Sequence, residues 1–235
     1  PPDDLRASFN TYVSMAKEGD RRNFAFLRTA WRSEKDPAVR ALIADALYQS
    51  DPRESVAARI LVESAVATEQ VYGRLKPVAA DLGAEMPLIS SLVELASSGQ
   101  VEAASRILEF VRAARDDDRS SARLAEALAV IAHDAPFELL TALRQEASSD
   151  LGMLIFALAR GLVVTAQAEA PLWAALKQSQ GLPDPRFVDF AVVVERSLTE
   201  KIAEARLLPG EGDRPSDPLP EGVPLGSTLQ TAPGG

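Results

Sequence analysis

The chain contains no cysteine and only one histidine, His133, among its 235 residues. The absence of cysteine excludes disulfides, thiol catalysis and cysteine-ligated metal. Any Ser–His or histidine–metal arrangement would have to use His133, and no metal-ligand spacing surrounds it. We therefore predict no catalytic residue, no metal site and no cofactor, and we interpret the chain as non-enzymatic. The alternative of an enzyme would need a pair of catalytic carboxylates, and no spacing singles out two of the acidic residues.

His133 lies between two predicted helices and is followed by Asp134. A histidine in the last turn of a helix interacts favourably with the negative end of the helix dipole. Because the side chains of adjacent residues rarely face each other, we do not expect Asp134 to orient the imidazole. The acidic run Asp116-Asp117-Asp118 lacks the spacing of a calcium loop and is interpreted as a solvated turn that caps the next helix.

Long apolar runs are also missing. The longest, Met153 to Ala159, is far shorter than the roughly 18–20 residues of a membrane-spanning helix. The net charge of −9 argues against a general affinity for nucleic acid or for an anionic membrane surface. The absence of cysteine is compatible with an exported bacterial protein, so a periplasmic location is favoured over a cytoplasmic one.

No segment shows the alternation of apolar and polar residues that is typical of a half-buried strand. The clearest helix signal begins at Asp36-Pro37, where Asp36 is placed to cap a helix and Pro37 occupies its first position. The apolar residues that follow share one helical face: Val39, Leu42, Ile43, Ala46 and Leu47. Asp51-Pro52 and Asp184-Pro185 are predicted to start two further helices in the same way.

Similar apolar patterns recur about every 15–18 residues, which gives about twelve short helices and a helical hairpin about every 30–35 residues. Such short helices must stack on neighbours to bury their apolar faces. We predict an all-α fold, favour an α-solenoid-like stack of antiparallel helices over a globular bundle, and assign it to residues 1–208. Leu151 to about Ala168 is the most apolar predicted helix and is placed at the centre of the C-terminal half.

The segment from Asp36-Pro37-Ala38-Val39-Arg40 to Ala46-Leu47 resembles the second helix of a HEAT repeat. The resemblance is good over about twelve residues and loose over residues 20–65. HEAT-like repeats act mainly as protein-binding scaffolds, so the resemblance implies an interaction role.

Residues 21–40 carry six basic and two acidic side chains. On a helical wheel four of the basic residues fall within one arc, which we call the basic face: Arg21, Arg28, Arg32 and Lys35. One interpretation is an ordinary solvated surface paired with acidic neighbours. The other is a surface that attracts an acidic segment of a partner.

Residues 209–235 hold six proline and six glycine residues and no aromatic residue. This composition predicts a Pro/Gly-rich tail, either flexible or polyproline-like. Four apolar residues are spaced as anchors of an extended chain: Leu219, Val223, Leu225 and Leu229. We hypothesise that the tail lies along a groove of its own or of a neighbouring helical body.

The sequence thus favours a non-enzymatic scaffold that presents a helical groove to a protein or peptide partner. The alternative is a helical carrier that encloses an apolar ligand, such as a lipid, around the apolar helix 151–168. A continuous internal cavity would favour the carrier, whereas an open surface would favour the scaffold.

Overall fold

The computed structural model describes residues 2–146 and 150–207, and this part of the chain is all-helical, with no strand. Its twelve α-helices are α1 (Pro2–Glu18), α2 (Phe24–Ser33), α3 (Pro37–Ser50), α4 (Ser55–Ser64), α5 (Arg74–Asp81), α6 (Ile89–Ser97), α7 (Val101–Ala113), α8 (Asp118–Asp134), α9 (Pro136–Glu146), α10 (Leu151–Val164), α11 (Glu169–Ser179) and α12 (Pro185–Arg206). The predicted all-α class is confirmed.

Two of the three Asp-Pro pairs start helices as predicted. The Asp36 carboxylate accepts hydrogen bonds from the backbone N–H groups of Ala38 and Val39, and Asp184 caps α12 in the same way. The Asp51-Pro52 prediction is wrong, because α4 begins only at Ser55 after a short turn. Asp51 instead ends α3, where its backbone N–H donates to the carbonyl oxygen of Tyr48, and its carboxylate binds Arg21 with 2.9 Å between Nε and Oδ2.

Most helices pack against the helix two places away in the chain. One row of contacts runs through α1, α3, α6, α8, α10 and α12. The helices α4, α7, α9 and α11 form a second row of contacts. Trp31 of α2 extends this second row by donating a hydrogen bond to Ser64 of α4. The α8 helix therefore lies between α6 and α10, and one of its faces is exposed to solvent.

The α10 helix is packed as the sequence predicted, between α8 and α12. It ends at Val164 rather than near Ala168, and a 3-10 turn then leads into α11. Among the described residues no single helix has the length and apolarity to cross a membrane. Only the pair Leu151–Val164 and Ala166–Ser179 meets those two conditions jointly, and it is bent by 116°.

A buried polar cluster joins α3 to α6. The Asp45 side chain is 7% exposed, and its carboxylate accepts a 2.5 Å hydrogen bond from Ser91 Oγ. Gln49 donates to the same Ser91 hydroxyl oxygen. Burial raises the pKa of Asp45, against the opposing effect of hydrogen bonds from Ser91 and from the backbone N–H of Leu88. The Leu88 backbone has a φ of +79°, a conformation that is rare for a branched residue.

Candidate functional site

The structure places the four residues of the basic face on three different elements. Arg28 and Arg32 lie one turn apart on α2, Arg21 lies in a 3-10 turn before it, and Lys35 lies in the extended segment after it. The helical wheel had assumed one continuous helix, whereas α2 covers only Phe24–Ser33.

The residues of the basic face differ in their contacts. Arg21 is paired with Asp51. Within residues 2–146 and 150–207, no salt bridge involves Arg28, Arg32 or Lys35. Arg32 and Lys35 are exposed, whereas Arg28 is only partly exposed and its Nε atom is buried.

The four predicted tail anchors lie outside the described residues: Leu219, Val223, Leu225 and Leu229.

A cleft of about 860 Å³ lies between α5, the loop that follows it, α6 and the first turns of α8. We call it the α5–α8 cleft. Its volume lies within the range of roughly 300–1,000 Å³ that is common for ligand sites. The cleft opens to solvent, since several side chains that line it are exposed: Ala80, Glu85, Ser90, Arg119, Arg123, Glu126 and Val130.

Apolar side chains cover the interior of the α5–α8 cleft. They are contributed by α5, the loop, α6 and α8, and many are small: Ala79, Ala80, Ala84, Met86, Ile89, Val93, Ala122, Leu124, Ala127 and Val130. Val130 is 41% exposed, although it lies on a helix whose other large apolar residues are buried. The interior therefore presents apolar surface that the described part of the chain does not cover.

Two ion pairs are formed by residues that line the cleft. Lys76 Nζ lies 3.0 Å from Asp117 Oδ2, and Arg123 lies 2.8 Å from Glu85. Asp117 also caps α8 and accepts a hydrogen bond from the Ser120 hydroxyl. The Ser120 and Lys76 hydrogen bonds lower the pKa of Asp117 to about 2. Its carboxylate thus remains ionised at neutral pH and holds α5 against the start of α8.

Arg119 and Glu126 are the two remaining charges on the rim of the cleft. They are exposed, and neither forms a salt bridge with any of the described residues. With Arg123 and Val130 they occupy positions i, i+4, i+7 and i+11 of α8, which is one face of a helix. On that face Arg119 provides an unpaired positive charge and Glu126 an unpaired negative charge. The Arg123 side chain, which is paired with Glu85, lies between them.

The side chain of Tyr72 lines the cleft, but its hydroxyl is buried. The Tyr72 residue is 7% exposed, and its ring packs edge-on against Phe110 with centroids 5.5 Å apart. Burial raises the pKa of Tyr72, against the opposing effects of a hydrogen bond with Ser120 and the charge of Lys76. Tyr72 therefore contributes its ring and a buried hydroxyl to the wall of the cleft.

His133 does not contribute to the cleft. Contrary to our expectation, its Nδ1 lies 2.7 Å from Asp134 Oδ1, because both residues end α8 where their side chains reach solvent and can turn toward each other. In the described ranges, no group of three or more His, Asp or Glu side chains is arranged to hold a metal ion.

The α5–α8 cleft was not predicted from the sequence. Its lining comes from residues 72–93 and 117–130, and no motif links these two segments. The acidic turn was correctly interpreted as a helix cap, but its ion pair with Lys76 depends on tertiary packing. Comparisons of this chain with family models, curated proteins and solved structures found no match.

Proposed function

We propose that the chain is a non-enzymatic protein-binding scaffold and that the α5–α8 cleft receives a segment of its partner. The observation that carries this proposal is the combination of an open apolar interior and a charged rim. An apolar core surrounded by a polar rim is the usual composition of a protein interface. Two cleft carboxylates, Asp117 and Glu85, are held in ion pairs, which favours a structural role for them over proton transfer.

A helical-repeat architecture is part of this proposal. The two rows of helix contacts, which mostly join helices two places apart in the chain, support an α-solenoid-like stack. The capped Asp36-Pro37 start of α3 agrees with the proposed HEAT-like relationship. In such stacks the free face of one row of helices forms an extended binding surface, and α6 and α8 are adjacent members of one row.

The basic face is proposed as a second, weaker contact. Arg28, Arg32 and Lys35 would attract an acidic region of the partner and speed its association, an effect that depends on ionic strength. Exposed charges of this kind alter the association rate more than the final affinity.

An apolar-ligand carrier is the competing function, because the apolar interior and the volume of the cleft would also suit a small lipid. The scaffold is preferred because the cleft opens along one side and carries charges of both signs on its rim. If the cleft carried an uncharged lipid, the charges on its rim would have no role in binding.

Affinity capture from the host organism tests the proposal with three full-length baits: the unchanged chain, Ala80→Trp and Ala203→Trp. Ala80 is exposed and lines the cleft, whereas Ala203 is an exposed residue of α12 and does not line it. We expect a discrete protein partner to be captured by the unchanged chain and by Ala203→Trp, and to be lost with Ala80→Trp.

Two results would contradict the proposal. Equal capture by all three baits would place the partner elsewhere. Recovery of lipid with the unchanged protein, displaced by Ala80→Trp and with no accompanying protein, would establish the carrier instead. Mass spectrometry of the eluates distinguishes the two, and thermal melts confirm that each variant is folded.

A further inference from the structure

We propose that the occupant of the α5–α8 cleft is an amphipathic helix of the partner, aligned along α8 by charges that complement Arg119 and Glu126. This inference rests on the proposed function and identifies the kind of segment that is bound.

The dimensions of the α8 face suit a helix. Residues 119 to 130 span about three helical turns, or roughly 16 Å. Alanines line the two walls and the loop, at positions 79, 80, 84, 122 and 127. Short side chains on one surface let the axis of an incoming helix approach closely, because the separation of packed helices is set by the side chains between them.

The spacing of the unpaired charges selects the conformation of the bound segment. Arg119 and Glu126 are seven residues apart on one face of α8, so their attachment points are separated by about 10 Å. A second helix along α8 presents its own i and i+7 side chains on one face at the same separation. It can therefore place an acidic residue at Arg119 and a basic residue at Glu126 simultaneously.

Extended segments match the cleft less well. In a strand, residues about 10 Å apart are three positions apart and point to opposite faces. A polyproline segment would keep such residues on one side, but grooves that bind polyproline are lined with several aromatic rings. Tyr72 is the sole aromatic residue in the lining, and its side chain is almost fully buried.

The apolar interior of the cleft sets the rest of the bound face. The expected segment has an acidic and a basic residue seven apart, with apolar residues between them on the same face.

Selection from a displayed library of 20-residue helical peptides tests this inference. One selection uses the unchanged full chain as bait, and a second uses Arg119→Glu/Glu126→Arg, in which the two rim charges are exchanged. We expect peptides with the i, i+7 charge pair from the first bait and the reversed order of charges from the second. Each peptide should bind the opposite bait about tenfold more weakly, since two favourable ion pairs become two repulsive ones.

Two control variants locate the effect. Exchange of a surface ion pair on α12, by Arg196→Glu/Glu200→Arg, should leave the selected peptides and their affinities unchanged. Ala80→Trp should abolish binding of the selected peptides. Circular dichroism of the free variants confirms that the exchanges leave the helices intact.

The inference would be overturned by an empty selection, by Pro-rich peptides, or by peptides whose affinities are the same for both baits. Such a result leaves the proposed function standing if Ala80→Trp still removes the partner captured from the host. If Ala80→Trp also has no effect on that capture, the proposed function fails as well.

Discussion

Replacement of Gly161 by alanine is expected to destabilise the protein by about 3 kcal/mol, the upper part of the usual range for overpacking a core. Gly161 is a buried residue of α10 where the helix meets α8. A Cβ atom there would overlap the carbonyl oxygen and carbon of Ala125 and press on the Ala129 side chain. Because the obstacle is backbone, the two helices would have to move apart.

Gly152 provides the matched control for Gly161. It lies in the first turn of the same helix, is exposed, and would have no neighbouring atom within 4 Å of an added Cβ. Alanine is the better helix former by up to about 1 kcal/mol, so Gly152→Ala should leave stability unchanged or raise it. Urea unfolding of the two variants measures the difference, and equal stabilities would contradict the close approach of α8 and α10.

The Gly161 contact also bears on the α5–α8 cleft. The α8 helix supplies the wall that carries Arg119, Arg123 and Glu126, and α10 supports it from behind. A displacement between these helices would move that wall relative to α5 and α6. We therefore expect Gly161→Ala to weaken binding in the cleft, whereas Gly152→Ala should not.

The second large effect is expected at Asp45. Replacement by alanine would remove the acceptor for the Ser91 hydroxyl and the Leu88 backbone N–H at a buried site. Two buried donors left without their partner should destabilise the protein by about 3 kcal/mol. Asp81→Ala on α5 is the control, since Asp81 is exposed and forms no salt bridge with any described residue; its effect on urea unfolding should be close to zero.

Asp45→Asn isolates the charge at the same position. Because burial raises the pKa of Asp45 in the folded chain, the folded state binds more protons than the unfolded state between the two pKa values. Proton binding at Asp45 therefore contributes most to stability below the unfolded pKa of about 4, and this contribution is lost as the pH rises through the folded pKa. Asp45→Asn should remove that decrease, and an unchanged pH profile of unfolding would contradict the assignment.

The Asp45 cluster matters for the cleft because it fixes the start of α6. Leu88, whose N–H is held by Asp45, immediately precedes α6, and its side chain is buried. Ile89 and Val93 of that helix line the cleft. Disruption of the cluster is thus expected to alter the cleft as well as the stability.

The helices could be predicted from sequence wherever their signals are local. The caps at Asp36, Asp117 and Asp184 and the apolar character of α10 depend on residues close together in the chain. Asp51 was misinterpreted because it ends α3 and is followed by a short turn, so that Glu54 rather than Asp51 directly precedes α4.

The cleft could not be predicted because it depends on packing between separate segments. The positive φ of Leu88 has no signal in the sequence, since a leucine is not expected in that conformation. Tyr72 could have been interpreted as an ordinary core residue, and only the structure shows that its side chain lines the cleft. The one available hint was Val130, which adds an apolar residue to the exposed face of α8.

The central claim, that the α5–α8 cleft binds a partner protein, is tested most directly by site-specific photo-crosslinking in the host organism. A photoreactive phenylalanine analogue is placed at position 80 in one full-length variant and at position 203 in another. The account predicts a discrete protein adduct from position 80, absent from position 203 and suppressed by an excess of the unlabelled chain. No adduct at position 80, or the same adducts from both positions, would contradict it.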